Sequence, residues 1–287
     1  MYGVLSERYV ITQSQVDSKG LITIGSVARI MQDLCMKHLL KYAGLGPREF
    51  SDYGKSIVVC WSEIKFFRTP SVDEEVEARV WAGPYKSYLF SRKYDLRDTE
   101  GNVLATAAGL YTVIDQTIRS IPSPPLELKR VPAITVPGEC TLPSRSVRHP
   151  DTFHNAIERT VVNDEIDCNR HLNNARYLDW ALDLLDESFS NMYQPTGVWI
   201  RYSKEVFERT KVQLQFEWDA ETDLFVRGVV DGKETFLLRI SFCKERGVDS
   251  SSEAFAFTHT IRVIVPVLIN LTWIIRFISI GVGLNTA

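Results

Sequence analysis

The sequence predicts an α+β protein in which two similar halves follow one another, each with one long helix and several antiparallel strands. The first observation is a pair of apolar stripes with the same helical spacing, 150 residues apart: Val27, Ile30, Met31 and Leu34, then Tyr177, Trp180, Ala181 and Leu184. The second is a set of strand patterns after each stripe, and the third is a proline-rich stretch between them. Together these features indicate an internal repeat.

The strands are predicted from short segments that are rich in apolar residues and bounded by turn residues. They cover 76–82, 89–96 and 103–114 in the first half, and 212–218, 224–230 and 235–243 in the second. Asp231-Gly232 predicts a hairpin turn between the last two. Another pair of segments, 64–68 and 200–204, matches with a shift of 136 rather than 150, which predicts a longer loop in the first half, from Gly44 to Lys55.

A helix with a wide apolar stripe needs a curved sheet to bury it. That arrangement is the hotdog fold, and two copies in one chain predict an internal pseudo-dimer; two unrelated α+β domains are the alternative. The predicted divisions are an N-terminal hotdog domain at 1–121, a linker at 122–150 with seven of the twelve prolines, a C-terminal hotdog domain at 151–245, and an apolar C-terminal extension at 246–287.

Composition narrows the class of protein. The net charge of −3 argues against bulk nucleic-acid binding, although a local basic patch could receive an acidic partner. The five cysteines include no CxxC pair, which argues against a zinc site and a disulfide framework. They fit a reducing compartment, and the first fifteen residues resemble neither a secretory signal nor a transit peptide, so a cytoplasmic location is expected.

The C-terminal extension leaves membrane association open. Val263–Ile275 is apolar and uncharged, but a run of about 10–14 residues is usually too short to span a bilayer. Extending it through Arg276 to Leu284 gives a span that carries the cost of a buried charge. The sequence also leaves a homodimer open.

The densest chemistry in the chain lies just before the second helix, in the eight residues from Asp167 to Asn174. If this segment is extended, its alternation turns Asp167, Asn169 and His171 to one side. Glu205 follows His171 by 34 residues, in a segment expected to be a strand that crosses near the helix start. An acid or base, an amide and an imidazole that face one spot suit hydrolysis of an activated acyl group.

The first half lacks most of this set. The shift of 150 puts Asp17, Lys19 and Leu21 at the positions of Asp167, Asn169 and His171, and the shift of 136 puts Thr69 at that of Glu205. A working site is therefore expected in the second half alone. Simpler structural roles remain open for some residues: Asp167 as the side chain that closes an Asx turn, Asn173 and Asn174 as helix caps, and Cys168 as a small apolar filler.

The Asp-x-Asn-x-His-x-Asn-Asn motif, the glutamate 34 residues beyond the histidine and the two hotdog halves together resemble the acyl-acyl-carrier-protein thioesterases of plant plastids and bacteria. The resemblance covers about residues 5–244. In that family the glutamate is often followed by a cysteine that was once assigned as a nucleophile; here that position is Val206, so a thiol at this place is excluded.

The resemblance implies a thiolester hydrolase that releases free fatty acid from acyl carrier protein and so ends chain elongation. The implied catalytic residues are Asp167, Asn169, His171 and Glu205. Glu205 or Asp167 is expected to be the acid–base group, His171 to share the proton, and Asn169 to orient water or donate to the oxyanion. Whether Asp167 attacks directly or acts as a base is left open.

The first half is then expected to bind the acyl chain through Val27, Ile30, Met31 and Leu34. No metal and no cofactor are implied. Two other functions remain as alternatives: a hotdog thioesterase that acts on acyl-CoA, and a non-catalytic acyl-binding module. The first would need a nucleotide site, and the sequence has no phosphate loop; the second would tolerate loss of the polar set, which is intact.

Overall fold

The computed structural model describes residues 3–118, 120–122, 125–136, 140–219 and 222–244. The first half contains β1 (Val4–Val10), α1 (Ile24–Ala43), α2 (Pro47–Asp52), β2 (Lys55–Phe66), β3 (Glu75–Lys86), β4 (Leu89–Arg97) and β5 (Val103–Asp115). After α3 (Leu126–Arg130), the second half contains β6 (Asn155–Thr160), α4 (Arg176–Leu182), α5 (Glu187–Met192), β7 (Tyr193–Tyr202), β8 (Lys211–Asp219), β9 (Asp223–Val230) and β10 (Lys233–Lys244). The predicted extension 246–287, with its apolar segment Val263–Ile275, lies outside the described residues.

The ten strands form one sheet whose order is a palindrome. It runs β1-β3-β4-β5-β2-β7-β10-β9-β8-β6, so each half contributes five strands in the same order and β2 pairs with β7 at the centre. That central pair is antiparallel, from Trp61 opposite Arg201 to Lys65 opposite Gly197. The predicted α+β class, with two hotdog halves in one pseudo-dimer, is confirmed.

The repeat extends to individual backbone hydrogen bonds. The N–H of Ile22 donates to the carbonyl of Pro70 at 2.9 Å, and that of Leu172 donates to Val206 at 2.7 Å. These pairs obey both sequence shifts, 150 for the donor and 136 for the acceptor. The extra residues of the first half fall where predicted, between α1 and β2, and they contain α2. Asp231 and Gly232 have φ angles of 49° and 71°, as a tight hairpin turn requires.

Helix α1 is the long helix that the first stripe predicts. The Thr23 hydroxyl accepts a hydrogen bond from the Ser26 N–H at 3.1 Å, which caps its start, and Gly44 ends it with a φ of 66°. The stripe residues lie in the core between α1 and the sheet, each at most 6% exposed: Val27, Ile30, Met31 and Leu34. Complete burial of an aliphatic side chain stabilises the fold by about 1.5–3 kcal/mol, so this face holds α1 on the first half.

The second helix is shorter than its stripe predicts. Helix α4 ends at Leu182, so Leu184, the last member of the stripe, lies beyond it. The cause is local, because Asp186 caps a new helix: its carboxylate accepts a hydrogen bond from the Phe189 N–H at 2.6 Å. An aspartate that caps the next helix favours a break over a continuous helix.

Candidate active site

The motif loop is a tight turn, and the prediction of an extended segment is wrong. Ile166 and Leu172 pair as an isolated antiparallel bridge, and the chain between them folds back with Arg170 at a φ of 64°. The N–H of Asp167 donates to the carbonyl of His171 at 2.8 Å. Alternation therefore does not decide which side chains converge, because short-range hydrogen bonds determine the backbone here.

The carboxylate of Asp167 organises this turn. Its Oδ1 accepts hydrogen bonds from the backbone N–H of Asn169 at 2.8 Å and of His171 at 3.2 Å. In the first half, Oδ1 of Asp17 accepts from the N–H of Lys19 at 2.9 Å and of Leu21 at 3.0 Å. Asp17 makes these hydrogen bonds although Lys19 and Leu21 stand in place of Asn169 and His171. An aspartate at this position therefore stabilises the turn whether or not the turn carries catalytic residues.

His171 and Glu205 lie side by side. Nδ1 of His171 is 3.5 Å from Oε1 of Glu205, and the two side chains are 17% and 19% exposed. The expectation that Glu205 lies in a strand is wrong: β7 ends at Tyr202, and Glu205 lies in the loop that follows. The hydrogen bond from Leu172 to Val206 joins that loop to the motif turn and sets the distance between the two side chains.

An aromatic residue that the sequence analysis missed borders this pair. The Phe207 ring stands edge-on to the imidazole of His171, with centroids 5.0 Å apart, although half of Phe207 is exposed. A large apolar side chain two residues after Glu205 is the signal that could have identified it. Its ring covers one side of the imidazole, and its exposed half presents an apolar surface beside the pair.

The remaining motif residues take separate positions. The side chain of Asn169 is exposed on the turn, and so is that of Cys168, which is therefore not an apolar filler. Oδ1 of Asn173 accepts a hydrogen bond from the Ala175 N–H at 2.9 Å, two residues on, and its amide donates to Gln32 on α1 at 3.4 Å. The motif turn thus touches the helix of the first half. The N-cap of α4 is Ala175, so the expectation that Asn173 and Asn174 cap the helix is wrong.

Behind the motif stand two tyrosines. The hydroxyl of Tyr202 donates to the carbonyl of Asn174 at 3.0 Å, and the rings of Tyr177 and Tyr202 are 5.5 Å apart. Burial raises the pKa of Tyr177, and the carboxylate of Asp167 raises it further. Both hydroxyls therefore stay protonated at neutral pH, and they place two uncharged polar groups next to the turn.

Three basic side chains stand on the two loops that carry His171 and Glu205. Arg170, Lys204 and Arg209 are all exposed. Arg170 has a φ of 64°, and its counterpart in the first half is Gly20 with a φ of 74°. A residue with a side chain costs free energy in this left-handed conformation, and glycine does not. The turn of the second half therefore carries an arginine at a position where glycine would be more stable. Nε of Arg209 is 3.7 Å from a carboxylate oxygen of Glu208, its neighbour in the chain. Three further basic residues of this region are also in ion pairs: Arg176 with Asp164 and Asp179, Arg201 with Glu234, and Lys211 with Glu158.

The described residues contain no cluster of three or more His, Cys, Asp or Glu side chains that could hold a metal ion. Within the same residues, no helix is long and apolar enough to cross a membrane. A polar cleft of about 480 Å³ lies where α1 and α4 begin, and it is crossed by an ion pair between Arg29 and Asp179.

Comparison with known proteins gives two matching family models. The acyl-ACP thioesterase N-terminal domain matches residues 3–128, and the acyl-ACP thioesterase C-terminal domain matches residues 150–263, where ACP stands for acyl carrier protein. The first match ends and the second begins near the two ends of the proline-rich stretch.

Curated relatives are distant in sequence. A chloroplastic acyl-[acyl-carrier-protein] hydrolase of Cuphea viscosissima is 21% identical over 218 residues, covering 70% of this chain and 52% of that protein. A dodecanoyl-[acyl-carrier-protein] hydrolase of Cinnamomum camphora is 19% identical over 214 residues, covering 70% of this chain and 56% of that one. The chain thus spans little more than half the length of these relatives.

Solved structures show the same fold. The 12:0-ACP thioesterase of Umbellularia californica superposes with a TM-score of 0.75 at 18% identity, over 84% of this chain and 98% of that one. An acyl-ACP thioesterase of Bacteroides thetaiotaomicron gives a TM-score of 0.74 at 17% identity, with the same shares covered.

Proposed function

The chain belongs to the acyl-ACP thioesterase family, and on that premise we propose that it hydrolyses fatty acyl thioesters of acyl carrier protein and releases free fatty acid. The observation that carries the proposal is the 3.5 Å approach of His171 Nδ1 to Glu205 Oε1 in the second half. At the corresponding places the first half has Leu21 and Thr69, which cannot exchange a proton at neutral pH.

The pair has the parts that thioester hydrolysis needs. The carboxylate beside Nδ1 favours the tautomer with its hydrogen on Nδ1, so that Nε2 is the basic nitrogen. A water molecule gives a proton to this pair while its oxygen bonds to the carbonyl carbon. The carbon–sulfur bond then breaks, and the proton returns to the departing thiolate, which leaves a carboxylic acid and a free thiol. No covalent intermediate is needed.

The other motif residues support this step in different ways. Asn169, exposed on the turn next to His171, is assigned to donate a hydrogen bond to the carbonyl oxygen as charge develops on it. Asp167 is assigned a positioning role, because its Oδ1 holds the backbone of both Asn169 and His171. Of the two carboxylates that could act with His171 in the acid–base pair, we therefore favour Glu205.

The acyl chain is assigned to the first half. The stripe Val27, Ile30, Met31 and Leu34 faces the first-half sheet, and Gln32, on the same helix, touches Asn173 of the motif. A chain that leaves the thioester near His171 and enters between α1 and the sheet would bury its methylene groups against this stripe, at about 0.8 kcal/mol each.

The carrier protein is assigned to the basic loops. Carrier proteins of this kind are acidic, as the family resemblance implies, and Arg170, Lys204 and Arg209 are exposed on the two loops that carry the pair. Charges of this kind steer an acidic partner and orient its thioester arm. All five cysteines lie within the described residues and none forms a disulfide, which suits a reducing compartment such as the cytoplasm.

The experiment that tests this function measures thiol release from matched acyl-ACP and acyl-CoA substrates. We expect hydrolysis of acyl-ACP with the higher kcat/KM, and loss of it in Glu205→Gln protein purified in the same way. Hydrolysis of acyl-CoA alone would favour the CoA-dependent alternative. Binding of acyl-ACP without any turnover would favour a non-catalytic module.

A further inference from the structure

One arginine lies inside the core of the first half. Arg92 is the fourth of the nine residues of β4 and is 2% exposed. Its neighbours on the same face of the strand, Phe90 and Tyr94, belong to the core that includes the α1 stripe, so Arg92 points between the sheet and α1. Cζ of its guanidinium is 5.3 Å from the centroid of the Phe90 ring.

Two nitrogens of the Arg92 guanidinium, Nε and Nη2, form the edge that binds a carboxylate through two parallel hydrogen bonds, and this edge makes no hydrogen bond to the described residues. Nη1 of Arg92 donates to the carbonyl of Ser91 at 2.9 Å, while Nε and Nη2 have no hydrogen-bond partner in the described part of the chain. On β3, Arg79 shows what these two atoms do beside a carboxylate: its Nε donates to Asp95 at 2.7 Å and its Nη2 to the second carboxylate oxygen. Arg92 thus presents the same fork without the acid.

The groups around Arg92 do not balance its charge. Those that act on it most are Cys35 on α1 together with Tyr94 and Tyr111, whose hydroxyls are 2.8 Å apart. Burial raises the pKa of the Cys35 thiol and of both tyrosines, so all three are neutral. Burial lowers the pKa of Arg92, yet a guanidinium stays protonated in proteins. A buried charge without a counter-charge is costly, so its retention calls for a reason.

The fold itself does not require the arginine. In the β4–β5 ladder Arg92 stands opposite Gly109, and the corresponding place in the β9–β10 ladder has Leu224 opposite Ile240. Leu224 is 1% exposed and belongs to the hydrophobic core. The same alignment of ladders matches Tyr94 of β4 with Val226 of β9, and Tyr111 of β5 with Phe242 of β10. The shift of 150 matches Cys35 with Leu185. All three counterparts are apolar. The polar cluster therefore distinguishes the half without the His–Glu pair.

The cluster is connected to the motif. Burial raises the pKa of Tyr202, and the hydroxyls of Tyr177 and Tyr111 raise it further. Tyr202 in turn hydrogen-bonds to Asn174 of the motif and precedes Glu205 by three residues. The ring of Tyr111 covers Gly109, where a Cβ would lie only 2.6 Å from it. Rotation of that ring would uncover the strand beside the fork.

We propose that the first half receives acyl chains whose far end carries a carboxylate, with Nε and Nη2 of Arg92 as the fork that binds it and the hydroxyls of Tyr94 and Tyr111 beside it. The substrate class is then the ω-carboxyacyl thioester of a carrier protein. This inference rests on the proposed hydrolysis, in which the thioester lies at the His171–Glu205 pair and the chain runs towards α1.

The test compares two carrier-bound substrates of equal chain length, one ending in a methyl group and one in a carboxylate. The measured quantity is the ratio of their kcat/KM values in wild type, Arg92→Leu and Arg92→Lys. We expect wild type to prefer the carboxylate, Arg92→Leu to reduce the ratio on the order of 100-fold, and Arg92→Lys, which keeps the charge without the fork, to fall between them. Leu224→Met, a matched core change in the second half, should leave the ratio as it is.

The outcomes separate the two proposals. Hydrolysis of methyl-ended chains with a ratio that does not depend on Arg92 would overturn the ω-carboxylate assignment and leave the thioesterase function standing. Absence of hydrolysis for every carrier-bound substrate would overturn the function itself. Thermal unfolding gives a second measurement, because Leu224 shows that leucine fits this place: Arg92→Leu should raise the melting temperature, and a free dicarboxylate should raise it for wild type only. A stabilising effect of simple fatty acids that equals that of dicarboxylates would contradict the proposal.

Discussion

Replacing Asp167 by asparagine separates a structural role of this carboxylate from a chemical one. Asparagine keeps an acceptor oxygen for the N–H groups of Asn169 and His171 but can neither take up a proton as a base nor attack as a carboxylate. If Asp167 only positions the turn, Asp167→Asn should keep kcat within about tenfold of wild type, less than the loss of about 10²–10⁴ expected for a general base.

Asp167→Ala gives the magnitude of the structural part. It leaves two backbone donors without their acceptor, at 2.8 and 3.2 Å in the wild type. Hydrogen bonds to a charged acceptor contribute about 1.5–3 kcal/mol each, and this turn is half-exposed, so we expect a loss of about 2–3 kcal/mol for the pair. Asp17→Ala is the matched control, since Asp17 makes the same two bonds at 2.9 and 3.0 Å.

The assays are urea unfolding and thiol release with acyl-ACP. Asp17→Ala and Asp167→Ala should lower the free energy of unfolding by similar amounts, and only Asp167→Ala should also lower kcat, because only its turn carries His171. A loss of kcat in Asp167→Asn as large as that of Glu205→Gln, without loss of stability, would refute the positioning role and make Asp167 the base or nucleophile.

Three further predictions address the partner and the acyl chain. Arg170→Gly should raise the free energy of unfolding in urea by about 1 kcal/mol, since the φ of residue 170 suits glycine, and should still lower kcat/KM on acyl-ACP. An increase in both stability and kcat/KM would show that Arg170 does not help to bind the carrier. The wild-type kcat/KM on acyl-ACP should fall steeply as salt is raised through about 0.1–0.5 M, because salt screens the steering charges, and a flat response would contradict carrier docking through them. Val27→Trp should shift the released acids towards shorter chains, as measured by chromatography; an unchanged profile with a lower melting temperature would make Val27 a core residue only.

The strands could be predicted closely from the sequence, because alternation and turn residues are local and strong. The predicted segments 89–96 and 103–114 correspond to Leu89–Arg97 and Val103–Asp115, and the hairpin at Asp231-Gly232 is present. The two sequence shifts also identify which backbone groups bond to each other in each half, as Leu172 with Val206 shows. Repeated spacing carries this information because it reflects two copies of one fold.

The features that sequence reasoning missed depend on competition between local groups or on long-range register. Asp167 turns the motif back on itself through hydrogen bonds to nearby N–H groups, so the alternation of polar residues there does not indicate an extended strand. Asp186 starts a new helix where the apolar stripe alone predicts continuation. In the sequence Arg92 has the pattern of an ordinary charged strand residue. Its burial becomes visible only in the structure, where it stands opposite Gly109 in the β4–β5 ladder and lies inside the core.

The central claim is that His171 and Glu205 act as one acid–base pair, and a double-mutant cycle on acyl-ACP hydrolysis tests it most directly. His171→Ala and Glu205→Gln should each lower kcat by about 10² or more, and the double variant should be little worse than either one, as expected for groups that act as a unit. Thr69→Ala, at the corresponding place of the first half, should keep wild-type kcat. Losses that multiply in the double variant, or a His171→Ala protein with wild-type kcat, would contradict the account.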